Sequence, residues 1–202
     1  MASMEPYRLS EEHAEAAGDL LAASFFTAPG TTFMSPDPVR RARLFPPLFT
    51  AIARRTVHCG EATGLGEPLH AVALWTLPVR EHQMEAEYVE AGMEAAVALF
   101  DEGEAGRLAA FRRHFDTTHE RLMDQPHWYL SFLAVGPGHQ GQGAGTGLMR
   151  HMLDRFGPTG VPCFLESVDE ANLPFYERLG FRVVEIGRVP GSHVRTWALR
   201  RD

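Results

Sequence analysis

The sequence predicts a mixed α/β protein in which a central mixed sheet is flanked by helices. Strand-like and helix-like segments intermix along the chain, and hairpin-type pairs of strands occur toward both ends. A hydrophobic strand, Trp128–Val135, also leads directly into a glycine-rich loop and an amphipathic helix. With 202 residues and 45% apolar content, the chain is long enough for one sizeable core, so we expect a single domain over residues 1–202.

The first half of the chain combines helix caps, prolines and short apolar runs. Ser10 is a residue type that caps helix N-termini, and Phe25 lies on the apolar face of the helix predicted to begin there. Pro46-Pro47 is expected to kink or split the second helix. The predicted elements are a strand at 7–9, a helix from Ser10 to Phe25, an exposed loop at 27–36, a helix at 38–54, and strands at 56–61 and 69–77 joined by a turn.

The second half predicts longer helices and the remaining strands. Gly103 and Gly106 are expected to separate two helices, and Gly180 is placed as a C-cap glycine that ends a short one. The predicted elements are helices at 81–100 and 104–122, a strand at 128–135, a helix from Ala144, a strand at 161–167, a helix at 172–180, and strands at 181–186 and 193–199.

The glycine-rich loop indicates a site for a phosphate-bearing ligand. Glycines at 141, 143, 145 and 147 allow tight turns with no Cβ between the backbone and a ligand, so successive N–H groups can point at anionic oxygens. The dipole of the following helix adds to this attraction. A P-loop is excluded because no lysine follows the glycines, and a dinucleotide fingerprint fails because Thr146 stands where its third glycine belongs.

Two segments carry a resemblance to a known family. The pattern Gln140-x-x-Gly143-x-Gly145 resembles the acyl-CoA pyrophosphate loop of the GNAT acetyltransferases. Residues 172–181 resemble the last helix of that family and the strand after it, with Asn172, Tyr176 four residues later, and a Leu-Gly-Phe exit. The resemblance implies the GNAT fold, whose sheet is mostly antiparallel with six to seven strands, and acetyl-CoA as cosubstrate.

The resemblance also assigns residues to the donor site. In this family the strand before the loop splays from its neighbour, so that main-chain groups meet the pantetheine arm and one N–H faces the thioester carbonyl. Gln140 and Gln142 stand where such loops often carry basic residues, so phosphate binding would rest on backbone N–H groups. The implied acetyl-CoA contacts are Leu133, Ala134, Val135, Gln140, Gly141, Gln142, Gly143, Ala144, Gly145, Thr146, Asn172 and Tyr176.

The chemistry of acetyl transfer to an amine needs a general acid and a neutral amine. The hydroxyl of Tyr176 is the candidate acid for the departing thiolate, because the pKa of a tyrosine is near that of a thiol. Glu166 lies in an otherwise apolar strand and is the candidate base. Two alternatives stay open for Glu166: a partner of Arg178 or Arg182 at the sheet edge, or a group that holds a cationic acceptor while water takes the proton.

The acceptor is less well defined by the sequence. The region of the first loop forms a wall of the acceptor pocket in the resembling family, so Phe25, Phe26, Phe33 and Met34 are candidate substrate contacts, with core packing as the alternative. Residues 37–38, 73–78, 164–167, 172–181 and 195–197 resemble antibiotic-inactivating members of the family, the puromycin N-acetyltransferases. This resemblance implies a puromycin-like antibiotic as the acceptor and a role in antibiotic resistance. The alternatives are a protein or peptide N-terminus, and a non-catalytic module that senses acyl-CoA.

Composition limits the remaining possibilities. The net charge of −7 argues against nucleic acid and favours a cationic small molecule. We expect no membrane span, no signal peptide and therefore a cytoplasmic protein. Cys59 and Cys163 are expected to be reduced thiols, and an acetyl-cysteine intermediate at Cys163 is less favoured than direct transfer in a ternary complex. The histidines show no metal-ligand spacing, and the oligomeric state, a homodimer included, stays open.

Overall fold

A computed structural model describes residues 5–76 and 92–202 of the chain. The strands are β1 (Tyr7–Arg8), β2 (Gly60–Leu65), β3 (Ala71–Thr76), β4 (Trp128–Val135), β5 (Cys163–Ser167), β6 (Arg182–Arg188) and β7 (Arg195–Arg201). The helices are α1 (Ala14–Ser24), α2 (Pro29–Met34), α3 (Pro38–Cys59), α4 (Met93–Val97), α5 (Glu102–Leu122), α6 (Ala144–Phe156) and α7 (Leu173–Glu177). Single 3-10 turns lie at Glu11–His13, Pro137–His139, Gly157–Thr159 and Glu170–Asn172.

The strands form one seven-stranded sheet in the order β1-β2-β3-β4-β5-β7-β6. Every neighbouring pair is antiparallel except β4 and β5, which run parallel. The predicted mixed, mostly antiparallel sheet flanked by helices is therefore confirmed.

Helices cover both faces of the sheet, and β3 shows how the two cores are divided. Val72 and Leu74 belong to the core on the face of α1 and α3, whereas Ala73 and Trp75 belong to the core on the face of α6. All four are fully buried. Because successive strand residues point to opposite faces, a strand buried on both sides is apolar throughout.

The second helix is not split at its two prolines, so that part of the prediction is wrong. Helix α3 continues through Pro46 and Pro47 as far as Cys59, so β2 begins at Gly60 rather than at residue 56. The side chain of Asp37 caps its start by accepting the N–H of Val39 at 2.9 Å. The two prolines lack the N–H groups that would donate to the preceding turn, which weakens the helix. Burial of apolar side chains next to them offsets this loss, because packing contributes more to helix stability than local propensity does. The buried residues next to the prolines are Leu44, Phe45, Leu48 and Phe49.

Two other element predictions need correction. Residues 27–36 are not an exposed loop, because α2 begins at Pro29 and buries Met34. Gly103 does not break a helix, because α5 begins at Glu102 and runs through it under a capping box of Asp101 and Glu104. The predicted helix at 81–100 falls mostly outside the described residues, and α4 covers part of its end.

The parallel pair at the centre of the sheet is short. Strands β4 and β5 pair from Trp128 opposite Cys163 to Leu130 opposite Leu165. The remaining residues of β4, from Ser131 to Val135, have no register partner in β5. The strands thus diverge toward their carboxyl ends, as the resemblance predicts.

Candidate active site

A cavity of about 1010 Å³ occupies the gap where β4 and β5 diverge. Its lining includes the last residues of β4, the glycine loop, the start of α6, the end of β5 and α7. It also includes residues of α1, α2, α3, α4 and α5 from the other face of the sheet. The cavity therefore joins the two faces through the gap.

The glycine loop turns into α6 with two left-handed residues. Gly141 has a φ of +73° and Gly143, the N-cap of α6, a φ of +87°. A Cβ at either position would meet no atom within 4 Å, so the backbone conformation, and not crowding, requires glycine here. Gly143 provides no capping side chain. The N–H groups of the first turn, at Ala144, Gly145 and Thr146, are therefore available to an anionic ligand.

The two glutamines brace the loop. The side-chain amide of Gln140 donates to the carbonyl oxygen of Val135 at 3.0 Å, and that of Gln142 donates to the carbonyl oxygen of Gly138 at 3.1 Å. Gln142 is the only sequence-predicted donor-site residue that does not line the described cavity. The loop thus presents backbone donors, while its amide side chains hold its shape.

Substituting Gly143 by Ala tests this requirement. The left-handed conformation costs an L-residue roughly 1–2 kcal/mol, so we expect a loss of stability of that order and a weakening of acetyl-CoA binding by about fivefold or more. Thermal unfolding and calorimetric titration with acetyl-CoA measure the two effects. Gly147→Ala is the matched control, because this exposed helical glycine has open space at its Cβ and needs no positive φ. Equal affinity in both variants would contradict the requirement.

Glu166 faces the cavity from β5, and its partner is a tyrosine of β4. The hydroxyl of Tyr129 donates to Oε2 of Glu166 at 3.2 Å. Burial raises the pKa of Glu166 to about 8, against the hydrogen bond from Tyr129, and the charge of Asp116 raises that pKa further. Arg182 instead pairs with Asp202 at 2.7 Å. The alternative in which Arg182 neutralises Glu166 is therefore wrong.

Tyr176 reaches the same cavity from α7. Its ring contacts Phe175 and Phe181 edge-on, with centroids 5.1 and 6.1 Å away. Burial raises the pKa of Tyr176, which keeps its hydroxyl protonated. Within the described residues this hydroxyl has no hydrogen-bond partner, which leaves it available to a ligand.

The predicted role of Gly180 as the glycine that ends this helical segment is confirmed, although α7 itself is shorter than the predicted 172–180. Gly180 has a φ of +87°, its N–H donates to Glu177, and the N–H of Phe181 donates to the carbonyl oxygen of Tyr176 at 3.1 Å. These are the two bonds of a Schellman motif. Asn172 lies before α7, is exposed and also lines the cavity.

The four predicted acceptor contacts separate into two pairs. Phe25 and Met34 line the cavity. Phe26 is not among the described lining residues, and its ring lies 5.1 Å from the guanidinium of Arg41. Phe33 packs against the hydrophobic core. Core packing, the alternative reading, thus describes the surroundings of Phe33.

Several cavity residues were missed by the sequence analysis. Tyr129 and Phe132 come from β4, and Phe111, Phe115 and Asp116 come from α5. The aromatic residues of β4 predict a strand, and the pattern of residues 104–122 predicts a helix, but neither pattern indicates a binding site. Tyr129 and Glu166 lie 37 residues apart in sequence, so no local pattern could have paired them.

Cys163 is buried in β5, and burial raises its pKa to about 11. A thiol in this state is a poor nucleophile. In residues 5–76 and 92–202, no group of three or more His, Cys, Asp or Glu side chains is arranged to hold a metal ion. No helix of those two ranges has the length and apolarity that crossing a membrane requires.

A parallel strand pair that opens beside a glycine loop and a helix N-terminus is the arrangement that the resemblance to acyl-CoA-dependent acyltransferases predicts, with the helix N-terminus as the anion site. The chain belongs to the acetyltransferase (GNAT) family, whose model matches residues 69–181. The protein is therefore an acetyltransferase, and the family uses acetyl-CoA as cosubstrate.

Solved structures share this fold over nearly the whole chain. An acetyltransferase of Corynebacterium glutamicum, described as histone acetyltransferase HPA2 and related, superposes with a TM-score of 0.67 at 19% identity, covering 98% of this chain and 94% of that one. An agmatine N-acetyltransferase gives 0.65 at 16% identity, with coverages of 96% and 97%. Arylalkylamine N-acetyltransferase 2 of Aedes aegypti gives 0.63 at 12% identity, with coverages of 98% and 97%.

Proposed function

We propose that the protein transfers the acetyl group of acetyl-CoA to a primary amine of a small molecule, by direct transfer in a ternary complex. The observation that carries the proposal is the meeting of Glu166, Tyr176 and the glycine loop at one cavity. The three groups come from separate elements, β5, α7 and the β4–α6 loop, and supply a base, an acid and an anion site. A module that only senses acyl-CoA would not need the acid and the base.

In the proposed reaction, the neutral amine attacks the thioester carbonyl carbon and the C–S bond then breaks. Glu166, with a pKa of about 8, accepts the proton of the amine, whose own pKa is near that of lysine at roughly 10. Tyr176 donates its hydroxyl proton to the thiolate sulfur. A backbone N–H at the end of β4 stabilises the carbonyl oxygen as it gains charge. The products are the acetamide and CoA.

The cavity wall favours a small molecule over a protein N-terminus. Phenylalanines and aliphatic side chains of α1, α3 and α5 line the acceptor end, whereas a groove for a peptide would present polar backbone partners and a flat surface. A puromycin-like antibiotic is the particular acceptor that the sequence resemblance supports. The names of the structural neighbours also include amine acceptors, agmatine and the arylalkylamines.

Measurement of thiol release tests the proposal. The protein is incubated with acetyl-CoA and, in separate reactions, with puromycin, small primary amines and a peptide with a free N-terminus. We expect release with small amines and formation of the acetamide, confirmed by mass spectrometry. Release with other amines but not puromycin would remove the antibiotic proposal. Release with the peptide alone would favour N-terminal acetylation, and tight acetyl-CoA binding without release would favour the sensor.

Cys163→Ala separates direct transfer from an acetyl-cysteine intermediate. Because the buried thiol is a poor nucleophile, we expect kcat to stay within about twofold of the wild-type value. Initial rates at varied concentrations of both substrates should give intersecting double-reciprocal lines. Loss of turnover in a folded Cys163→Ala protein, together with parallel lines for the wild type, would contradict direct transfer.

A further inference from the structure

The acceptor end of the cavity contains phenylalanine rings that are only half-buried. Phe25, Phe111, Phe115 and Phe132 each keep part of their surface accessible, and all four line the cavity. Rings that serve only core packing are buried, as Phe156 and Phe164 are, and neither of these two lines the cavity. The accessible ring surface is therefore aromatic area that a ligand can cover.

The rings belong to two groups on different elements. Phe25 and Phe132 contact each other edge-on with centroids 5.7 Å apart, and both contact Phe49 of α3. On α5, Phe111 and Phe115 stack at 4.6 Å, as side chains four residues apart on a helix can. Both groups line the cavity, so a ring bound in it can contact aromatic faces or edges from α5 and from the sheet.

A β-bulge places Phe132 on the same face of the sheet as the candidate base. Tyr129 lies opposite Thr76 and Phe132 lies opposite Leu74, so the extra residue, Ser131, is accommodated between them. Since Thr76 and Leu74 point to one face of the sheet, their partners Tyr129 and Phe132 share that face. Glu166 lies on the same face, because Tyr129 donates a hydrogen bond to it.

The charges near this point suit one ammonium group. The charge of Asp116, the residue after Phe115, acts on both Glu166 and Tyr129, so the Phe115 turn of α5 lies near the pair. Arg112, one turn earlier, in turn acts on Asp116 and offsets its charge. Asp169, which also lines the cavity, accepts the N–H of Ala171 at 3.0 Å, whereas Glu166 accepts only the hydroxyl of Tyr129 among the described contacts. A polyamine has no ring to cover the accessible aromatic surface, so it would leave that surface in contact with water.

We infer that the acceptor is an amine in which a short aliphatic linker joins an aryl ring to a primary amino group. The ring binds between Phe115 and Phe132, and the amino group lies at Glu166. This inference rests on the proposed function and specifies its acceptor. It also assigns Phe111 and Phe115 as residues that determine specificity.

The test compares two amines that differ only in aromaticity, 2-phenylethylamine and 2-cyclohexylethylamine, with spermidine as a polyamine. Because aromatic pairs contribute beyond area burial, we expect kcat/KM to favour the phenyl compound by about tenfold, with spermidine poorer still. Phe115→Leu should remove most of this preference, and Phe115→Tyr, which keeps the ring, should retain it. The inference is overturned if the ratio of kcat/KM for the phenyl compound to kcat/KM for the cyclohexyl compound is the same in the wild type and in Phe115→Leu.

A binding measurement separates this inference from the proposed function. N,N-dimethyl-2-phenylethylamine and its cyclohexyl counterpart are tertiary amines that cannot form an acetamide, so calorimetric titration reports acceptor binding without turnover. Tighter binding of the aromatic compound, lost in Phe115→Leu, would support the aromatic site even if no amine is acetylated. Equal binding of the two compounds would overturn it even if acetylation of other amines is found.

Discussion

Replacing Tyr176 by Phe is expected to lower kcat for acetyl transfer by about a hundredfold, the lower range of general acid catalysis, while the Kd for acetyl-CoA stays within about twofold. The side chain keeps its ring contacts with Phe175 and Phe181 and loses only the hydroxyl that the cavity leaves unpartnered. Because burial raises the pKa of Tyr176, the hydroxyl is held as a donor at every pH at which the enzyme would be assayed.

Burial also changes the expected energetics of proton transfer from Tyr176 to the departing thiolate. A tyrosine of ordinary pKa would exchange its proton with a thiolate on nearly equal terms, whereas the raised pKa makes Tyr176 a weaker acid. The same apolar surroundings also raise the pKa of a thiol that leaves there, so the match between the two groups is retained when both are desolvated.

Presteady-state measurement of CoA release gives the chemical step directly. A leaving group of lower pKa, such as a thioester of an aromatic thiol, needs less protonation, so the deficit of Tyr176→Phe should shrink with it. A deficit that is the same for both thioesters, or full turnover with acetyl-CoA, would remove Tyr176 as the acid.

Replacing Glu166 by Gln is expected to lower kcat/KM at pH 7.5 by about a hundredfold. Glu166 is active as a base only when it is ionised, so the wild-type rate should rise as pH rises through about 8, the pKa of this carboxyl. The amine acceptor contributes a separate rise near its own pKa. The Gln variant should lose the first rise and keep the second.

Tyr129→Phe is the matched variant for this profile. The hydrogen bond from Tyr129 lowers the pKa of Glu166, so its removal should move the first rise to higher pH and leave the maximal rate less affected than Glu166→Gln does. If Glu166→Gln instead raises KM and keeps both the maximal rate and the rise near pH 8, Glu166 holds a cationic acceptor while water takes the proton.

The elements that local sequence predicted well are those with strong local signals. The strand Trp128–Val135, the start of α6 at Ala144 and the C-cap at Gly180 agree with their predictions. Each depends on a hydrophobic period or on a glycine whose conformation the neighbouring residues require. The predictions failed at Pro46-Pro47 and at residues 27–36, where the tertiary core stabilises a helix against weak local propensity.

The sequence by itself predicted the candidate donor half of the site. The glycine loop, the first turn of α6 and the segment from Asn172 to Gly180 are each a continuous stretch of chain whose geometry depends on local residue types. Only the tertiary structure decided the acceptor half. The pairing of Tyr129 with Glu166 and the aromatic groups of α5 and β4 join residues that are distant along the chain. Such contacts depend on strand register, the bulge at Ser131 and the packing of α5, all of which are set by the folded core as a whole.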